Sequence, residues 1–471
     1  MTACVLLALV AAACGTGGGR RVDVQALIRN DTTTTSAAAL GGTDAFSAKT
    51  GGFDASGHPL PGSTSATTSA PGSTHHTTAT ARTSTAPIRI GLHLSANLQA
   101  AYTALGASGA EGDLTAPVTA VVDYINAHGG MAGRKVQPIF HESDPLKGSF
   151  DAEGQATCDD FASDQHVFAV VSGAVLPTLV LPDCLAKKHV PLVWNYQILI
   201  DEPLWRQWRP YLYQPFSVNA DRMGFYVDQL VANHFFETGA RVAIIRYDLD
   251  QHARFAKNVL RPRLSANHIN VVDEVALSRP DSAGAAADVG AQIGSAILRL
   301  RAENVSHIVF VPTGGAVPFL FMSQAQGAGF RPRYAMNSLD IPYFVADQAP
   351  AGQLSRSLAI GWSPQSDVHR ADEPPPNALT ALCYKITNSP GAMRYCDGLF
   401  FLKAALDRAG RVDAASLQAS VESMGSTFEP SFSLADTFAP GRHDGASAVR
   451  LDAFDDGCAC FKYAGPITPI G

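Results

Sequence analysis

The strongest constraint on the fold is an alternation of short apolar runs with amphipathic segments, which begins near residue 87 and then occurs a second time. A short apolar run between turn residues is typical of a strand buried on both faces, and apolar residues at helical spacing indicate a helix that covers the sheet. Repetition of this kind predicts βαβ units around a mostly parallel sheet. The predicted strands are 88–94, 135–141, 167–172 and 190–194 in the first series and 241–247, 271–277 and 306–311 in the second.

Two such series predict an α/β protein with two Rossmann-like lobes that are hinged by crossover strands. A crossover is expected near residues 211–215, and the apolar helix at 397–406 is expected to return to the first lobe. Ligands bind beyond the carboxyl ends of the strands in open α/β sheets, so the site is expected in the cleft between the lobes. We assign residues 87–212 and 365–440 to lobe 1, and residues 213–364 and 441–471 to lobe 2.

The chain begins with an apolar segment, residues 5–13, which is followed directly by Cys14. The segment is shorter than the roughly 20 apolar residues that span a bilayer, and its length suits the core of a signal peptide. A cysteine directly after such a core resembles the bacterial lipobox, in which the thiol receives a diacylglyceryl group. We therefore predict a signal peptide over residues 1–14 and lipidation of Cys14. The alternative is an ordinary signal peptide with an incidental cysteine.

Residues 15–86 are predicted to form a tether between the lipid anchor and the folded body. From about residue 27 they consist mainly of Thr, Ser, Ala, Gly and Pro. Such a segment buries too little apolar surface to offset the conformational entropy that ordering costs. The membrane is therefore expected to hold this protein by its lipid anchor only.

Composition and spacing argue against several classes of protein. The formal net charge is −7 and the longest basic run is Arg20-Arg21, so no nucleic-acid partner is expected. The mean hydropathy of +0.04 argues against a polytopic membrane protein. The glycines of residues 106–112 are spaced unlike those of a dinucleotide loop, and we expect a flexible rim of the cleft there. No cofactor and no metal are predicted.

The chain has eight cysteines, and six of them follow the predicted signal peptide and lipidation site. An even number of cysteines in an exported protein suggests disulfides. The Cys-Ala-Cys spacing at 458–460 suits a zinc site poorly. Several connectivities are possible, and local spacing favours one of them. It pairs Cys158 with Cys184, Cys383 with Cys396, and Cys458 with Cys460.

The turn after the first long helix carries the clearest family resemblance. Tyr124-Ile-Asn-Ala-His-Gly-Gly-Met-Ala-Gly-Arg-Lys-Val136 looks like the corresponding turn of the leucine/isoleucine/valine-binding family. Ser143-Asp144 after the second strand, Val171-Ser172-Gly173 after the third and Cys396-Asp-Gly-Leu-Phe400 near the end agree with that pattern. The chain thus resembles type I periplasmic binding proteins of ABC transporters over roughly residues 87–463.

The resemblance implies a site in which strand ends of lobe 1 hold the head group of the ligand and lobe 2 supplies a lid. Where the family has small residues after the fourth strand, this chain has three bulky ones, which favours a larger or aromatic ligand. Asp340 is the candidate partner for an ammonium group. The implied ligand-binding residues are Ser172, Gly173, Trp194, Asn195 and Tyr196 in lobe 1, and Tyr247, Asp248, Asn337 and Asp340 in lobe 2.

Together these features predict an extracytoplasmic solute-binding lipoprotein of an ABC importer, anchored to the cell membrane and not an enzyme. It is expected to bind an amino acid or a related small molecule, to work with permease subunits and to be a monomer. A sensory or adaptor lipoprotein without a transport role is the first alternative. An extracellular hydrolase built on Ser172 is the second, although the sequence has no Gly-x-Ser-x-Gly elbow.

Overall fold

The protein is described by a computed structural model that covers residues 85–104, 106–109, 111–282, 285–369 and 376–471. The predicted signal peptide, Cys14 and the tether up to residue 84 lie outside the described residues. None of the helices within the described ranges is both long and apolar enough to cross a membrane.

The first sheet has five parallel strands in the order β2-β1-β3-β4-β5. The four strands predicted for the first series are present, and β5 lies at the predicted crossover, where it pairs with β4. The strands are β1 Ile88–Ser95, β2 Val136–Ser143, β3 Ala169–Ser172, β4 Leu192–Trp194 and β5 Leu212–Tyr213.

The second sheet has seven strands in the order β12-β11-β10-β9-β8-β6-β7. The five strands from β6 to β10 are parallel, whereas β11 runs antiparallel to both β10 and β12. The predicted fold class, α/β with mostly parallel sheets, is confirmed, and the antiparallel hairpin is an addition to it. The strands are β6 Arg241–Tyr247, β7 Asn270–Leu277, β8 His307–Phe310, β9 Arg333–Asn337, β10 Leu358–Gly361, β11 Ala448–Asp455 and β12 Cys460–Pro469.

Helices connect the strands and cover both sheets. The helix Met393–Ala409 contacts β3 and β4, as expected for a segment that returns to the first sheet. The exact lobe boundaries stay a prediction. The α-helices are Leu98–Ala104, Thr115–Ala127, Phe150–Asp159, Val180–Lys187, Glu202–Trp208, Gly224–Ala232, Asp250–Phe255, Arg261–Ala266, Ala286–Ala302, Ala316–Gly327, Pro342–Gln348, Ala351–Leu354, Pro364–Asp367, Ala378–Thr387, Met393–Ala409 and Ala414–Glu422. Short π-helical turns cover Asp160–Asp164 and Ala256–Leu260, and 3-10 turns cover Ala220–Arg222 and Ser338–Asp340.

The turn that carries the family resemblance is fixed by one asparagine and one glycine. The Asn126 amide donates to the Val136 carbonyl at 2.9 Å and accepts from the Val136 N–H at 2.7 Å, so it holds the start of β2. Gly130 has a φ of +72°, and a Cβ there would lie 2.0 Å from the Arg134 carbonyl oxygen. A side chain does not fit at this position, and the left-handed backbone favours glycine.

Alternation along the strands divides the buried side chains between two faces of the first sheet. Val171 and Val193 belong to the apolar cluster that includes the helix Met393–Ala409. Val170 and Trp194 point to the opposite face, where they pack in a cluster with Phe161. Because successive side chains of a strand point to opposite faces, the position of each residue in the strand decides which helices it contacts.

Three disulfides are present among the described residues, and they are the pairs that local spacing favours. Cys158–Cys184 joins the helices Phe150–Asp159 and Val180–Lys187, and Cys383–Cys396 joins Ala378–Thr387 to Met393–Ala409. Cys458–Cys460 lies within the turn between β11 and β12. Only the first two therefore connect separate helices.

Replacing each cysteine pair by alanine is expected to lower the free energy of unfolding in the order of the sequence separations, which are 26, 13 and 2 residues. In the chain-entropy model the losses are about 3.5, 3 and 1 kcal/mol, because a longer closed loop restricts the unfolded chain more. Urea unfolding of the three double variants under oxidising conditions measures the order. A Cys458→Ala/Cys460→Ala variant as unstable as the Cys158→Ala/Cys184→Ala variant would contradict it.

Candidate functional site

The strand order places one switch point in each sheet. In the first sheet the chain moves from β1 to β2 on one side and to β3 on the other, and in the second sheet β6 is flanked in the same way by β7 and β8. Crossover helices that leave on opposite faces open a crevice at the carboxyl ends of the strands at such a point. The Ser95 hydroxyl, at the end of β1, accepts the Val175 N–H at 2.8 Å and ties the two sides of the first crevice together.

A cavity of about 390 Å³ lies between the carboxyl ends of the two sheets. Its lining includes Tyr196 and Gln197 after β4, Tyr247 at the end of β6, Arg279 after β7 and Thr313 after β8. The volume falls within the roughly 300–1,000 Å³ of small-molecule sites. Residues far apart in sequence thus meet because parallel strands end at the same edge of a sheet.

Loops from the two sheets touch on either side of this cavity. The Phe150 N–H donates to the Asp281 carbonyl at 2.7 Å, and an Arg279 Nη donates to the Pro177 carbonyl. On the other flank the Ser108 N–H donates to the Gln348 side chain at 2.9 Å. These contacts join loops of the first sheet to loops of the second, as in a closed cleft.

Tyr196 and Tyr247 are the two predicted residues that line the cavity. Burial raises the pKa of both phenols well above the ordinary value, and the nearby charge of Arg279 acts in the opposite direction on both. Both hydroxyls are therefore protonated donors at neutral pH. Within the described part of the chain neither hydroxyl has a hydrogen-bond partner, so both are available to a ligand.

Gly173 lies beside a buried arginine that the sequence does not single out. A Cβ on Gly173 would lie 2.5 Å from Cδ of Arg394, so the glycine makes room for the arginine side chain to pass over the end of β3. Arg394 pairs with the carboxylate of Glu111, which belongs to the segment expected to be a flexible rim. Burial and the Glu111 charge raise the pKa of the neighbouring Tyr102 to about 12. This ion pair joins the segment after the helix Leu98–Ala104 to the start of the helix Met393–Ala409.

Three further polar side chains at the cavity have buried atoms without a hydrogen-bond partner among the described residues. They are Nε2 of Gln251, Nδ1 of His252 and Oγ1 of Thr313. Burial, with a smaller contribution from the charge of Arg246, lowers the pKa of His252 to about 3, so its ring is neutral. Buried polar atoms are rarely unsatisfied in folded proteins, and a cavity between lobes explains them if a ligand supplies the partners.

The family model described as periplasmic binding protein matches residues 96–456 of this chain. The chain belongs to the periplasmic binding protein family. Members of this family bind solutes outside the cytoplasm, and the inferred relationship to leucine/isoleucine/valine-binding proteins is confirmed. A comparison with curated protein sequences finds no significant match.

Solved structures of periplasmic binding proteins share the fold at low sequence identity. LivJ of Streptococcus pneumoniae, a branched-chain amino acid transporter substrate-binding protein in complex with isoleucine, is 17% identical over 81% of this chain and 99% of its own, with a TM-score of 0.59. A solute-binding protein of an ABC transporter from Rhodopseudomonas palustris, in complex with 3,4-dihydroxybenzoic acid, is 14% identical over 82% and 98%, with a TM-score of 0.59. A substrate-binding protein from Desulfitobacterium hafniense in complex with Leu is 16% identical over 80% and 100%, with a TM-score of 0.54.

Trp194 does not lie where the resemblance to this family suggested. It is 1% exposed and packs in the core beside Trp205 and Trp208, on the face of β4 opposite to Val193. Period-two alternation thus gives it a packing role, and the expectation that it offers a stacking surface to a ligand is wrong. Tyr196, two residues further on and beyond the strand, reaches the cavity instead.

Asn195 is fully buried and connects β4 to the helix Met393–Ala409. Its amide donates to the Arg394 carbonyl at 2.7 Å and lies 3.4 Å from a carboxylate oxygen of Asp397. Asn195 therefore does not line the periplasmic binding protein's cavity; it fixes the end of the helix that carries Arg394.

The three other lid candidates of the second sheet also lie away from the cavity lining. Asp248 is exposed and lies 3.6 Å from Arg246. The Asn337 side chain caps the turn Ser338–Asp340 through the Leu339 N–H. The Asp340 carboxylate accepts the N–H groups of Asn337 and Thr313, and burial raises its pKa to about 7. Asp340 thus supports the wall behind Thr313.

Ser172 is fully buried in a chain of polar side chains that crosses the first sheet. His93 Nδ1 lies 2.9 Å from the Ser172 hydroxyl, and Nε2 lies 2.8 Å from the Ser143 hydroxyl. Burial, with help from the charge of His141, lowers the pKa of His93 to about 3, so the ring is a poor proton acceptor. The pair lacks the access and the basicity that a hydrolytic serine and its base require.

Some signals for the missed residues are present in the sequence. Arg394 is a cation at the start of a largely buried helix, and Arg279 lies two residues after the strand end at Leu277. Because Glu111 and Arg394 are 283 positions apart, their pairing follows from the tertiary fold and not from a local pattern.

His93→Gln is expected to reduce the loss of stability at acid pH. The folded protein keeps His93 neutral down to about pH 3, whereas the unfolded chain takes up a proton near pH 6.5. The stability that neutral His93 contributes is therefore present above pH 6.5 and is lost as the pH falls. Urea unfolding from pH 7 to 4.5 measures the effect: the wild type should lose about 2–3 kcal/mol relative to the variant. The exposed His268→Asn is the control, and parallel curves for wild type and His93→Gln would refute the assignment.

Proposed function

We propose that this chain is the solute-binding component of an ABC importer. The observation that supports this function best is the cavity of about 390 Å³ between the carboxyl ends of two mostly parallel sheets. Family membership accounts for solute binding. The role of the chain in transport is what we propose in addition. In this proposal the loops around the cavity separate in the open state and close on the solute, so that both sides of the cleft are presented to permease subunits.

The proposed solute is an amino acid or a related small molecule with a ring or another bulky apolar group. Tyr196 and Tyr247 supply aromatic surface, and Ile198, Leu204 and Trp208 add apolar wall to the same cavity. Cavities of this composition bind the apolar body of a ligand and use a few polar groups to orient its head. The solved structures with isoleucine and with 3,4-dihydroxybenzoic acid show that this fold accommodates both classes of solute.

We further propose that a lipid on Cys14 anchors the mature protein to the outer face of the cell membrane and that residues 15–86 are its tether. The apolar segment before Cys14 and the Thr-rich composition after it support this arrangement. The protein is then a monomer held at the membrane close to its permease, and the tether lets the folded body move between the solute and the transporter.

Cys14→Ser is expected to move the protein from the membrane fraction to the soluble fraction of an expressing bacterium. The thioether-linked diacylglyceryl group needs the cysteine sulfur, and two or more acyl chains are required for durable anchoring. Fractionation, together with labelling by a radioactive fatty acid, measures the change. Cys4→Ser is the control, and a Cys14→Ser protein that stays at the membrane and keeps the label would contradict the anchor.

Tyr247→Ala is expected to weaken solute binding without unfolding the protein, because Tyr247 lines the cavity at the end of β6. A thermal-shift screen of amino acids and aromatic acids first identifies a stabilising solute. Titration calorimetry should then show an affinity for that solute lower by roughly tenfold or more, since a buried ring contributes much of the contact area.

Asp248→Asn is the matched control, because the neighbouring Asp248 is exposed and should not affect binding. If no solute in the screen stabilises the wild type, solute capture loses its support. An unchanged affinity in Tyr247→Ala would place the solute elsewhere.

A further inference from the structure

We propose that the solute is a carboxylic acid without an ammonium group, and that Arg279, Tyr196 and Tyr247 hold its carboxylate. This inference rests on the proposed function and specifies the class of solute. It departs from the amino-acid ligands that the family resemblance implies.

The first argument is the convergence of donors. Arg279 follows β7, Tyr247 ends β6 and Tyr196 follows β4, so three strand ends point the groups toward one cavity. Arg279 lines the same cavity as both tyrosines, and its positive charge acts to lower the pKa of both phenols against the larger effect of burial. A guanidinium with two hydroxyl donors is a suitable partner for a carboxylate, and bonds to a charged group are the stronger ones.

The second argument is the surplus of unsatisfied donors. Nε2 of Gln251 can only donate, and the Thr313 hydroxyl can donate as well. Both are buried and have no partner among the described residues. Together with the two tyrosine hydroxyls they leave at least four donors for a ligand, so a ligand rich in acceptors satisfies the site best.

The third argument is the state of the acidic residues. Asp151 accepts the Thr178 hydroxyl at 2.6 Å and pairs with Arg279 at 3.4 Å. Asp183 pairs with Lys187 at 2.6 Å and accepts the Gln207 amide at 2.6 Å.

Two acids outside the cavity lining, Glu111 and Asp340, are engaged as well. Glu111 pairs with Arg394, and the Asp340 carboxylate accepts two backbone N–H groups behind the cavity wall. A ligand ammonium would therefore meet only acids that already have partners, and its desolvation would lack compensation. Arg279 also has partners, Asp151 and the Pro177 carbonyl, but a guanidinium has about five N–H donors and keeps some of them for a ligand carboxylate.

The body of the acid is expected to be apolar. Leu179, Ile198, Leu204 and Pro312 line the cavity together with Trp208. An aryl or branched alkyl group fits this lining, whereas a second charged group at the far end of the ligand does not.

Matched pairs of probes that differ only in the ammonium group test the proposal on the full folded chain. Suitable pairs are 3-phenylpropanoate with L-phenylalanine, 3-(4-hydroxyphenyl)propanoate with L-tyrosine, and 4-methylpentanoate with L-leucine. Benzoate and 3,4-dihydroxybenzoate extend the acid series. Calorimetry should show that the best acid binds roughly tenfold or more tightly than its amino-acid partner.

Two substitutions separate recognition of the carboxylate from cleft closure. Arg279→Gln should weaken binding of the best acid by roughly tenfold or more, since a charge-assisted bond is lost. Asp151→Asn should bind the acid at least as tightly as the wild type, because it removes a negative charge and frees Arg279. Arg299→Gln is the control, since Arg299 forms a similar ion pair with Asp273 outside this cavity.

Four results would overturn the inference. If the amino acids bind more tightly than the acids, the class of solute is wrong although the proposed function stands. If Arg279→Gln and Asp151→Asn weaken binding equally, the pair acts as a strut across the cleft and not as an anion site. If no probe binds but the broad screen finds another solute, the class is again wrong. If the broad screen finds none, the proposed function fails together with the inference.

Discussion

All parallel strands of a sheet end at the same edge, and the rest of this structure depends on that constraint. It brings the residues after β4, β6, β7 and β8 to one cavity although they span more than a hundred positions in sequence, from Tyr196 to Thr313. The central strands β1, β3, β4 and β8 are almost wholly buried, so their side chains pack against helices and are not presented to a ligand. The residues that contact a ligand therefore lie in the short segments beyond the strand ends. Side chains there no longer alternate between the two packed faces of the sheet.

Much of the fold was predictable because buried parallel strands leave a strong apolar signal. The strands of both series and the helix Thr115–Ala127 follow from that signal and from apolar residues at helical spacing. The hairpin of β11 and β12 was not predicted. Its residues are partly exposed and mixed in polarity, so their pairing depends on the edge that β10 offers and not on their own pattern.

Residues of the candidate site were predictable only where their position at the end of a strand decides whether they reach the cavity. Tyr247 and Tyr196 were predicted from strand ends, and both line the cavity. Trp194 was placed wrongly because it is still the last residue of β4 and packs in the core, whereas Tyr196 lies beyond the strand end. The ion pair of Glu111 with Arg394 joins segments 283 positions apart, and a single sequence has no local pattern that pairs them.

Arg279 links the selectivity of the cavity to the opening of the cleft. Its guanidinium contacts the Pro177 carbonyl and Asp151 across the cleft, and it also faces the cavity. Replacing this side chain is therefore expected to alter both the class of solute that binds and the rate at which the cleft opens. A variant that accepts a solute of different charge is then expected to change how long each solute is retained before delivery. Evolution toward a new solute is constrained by this effect on release. Arg279 thus couples the choice of solute to the rate at which that solute is released.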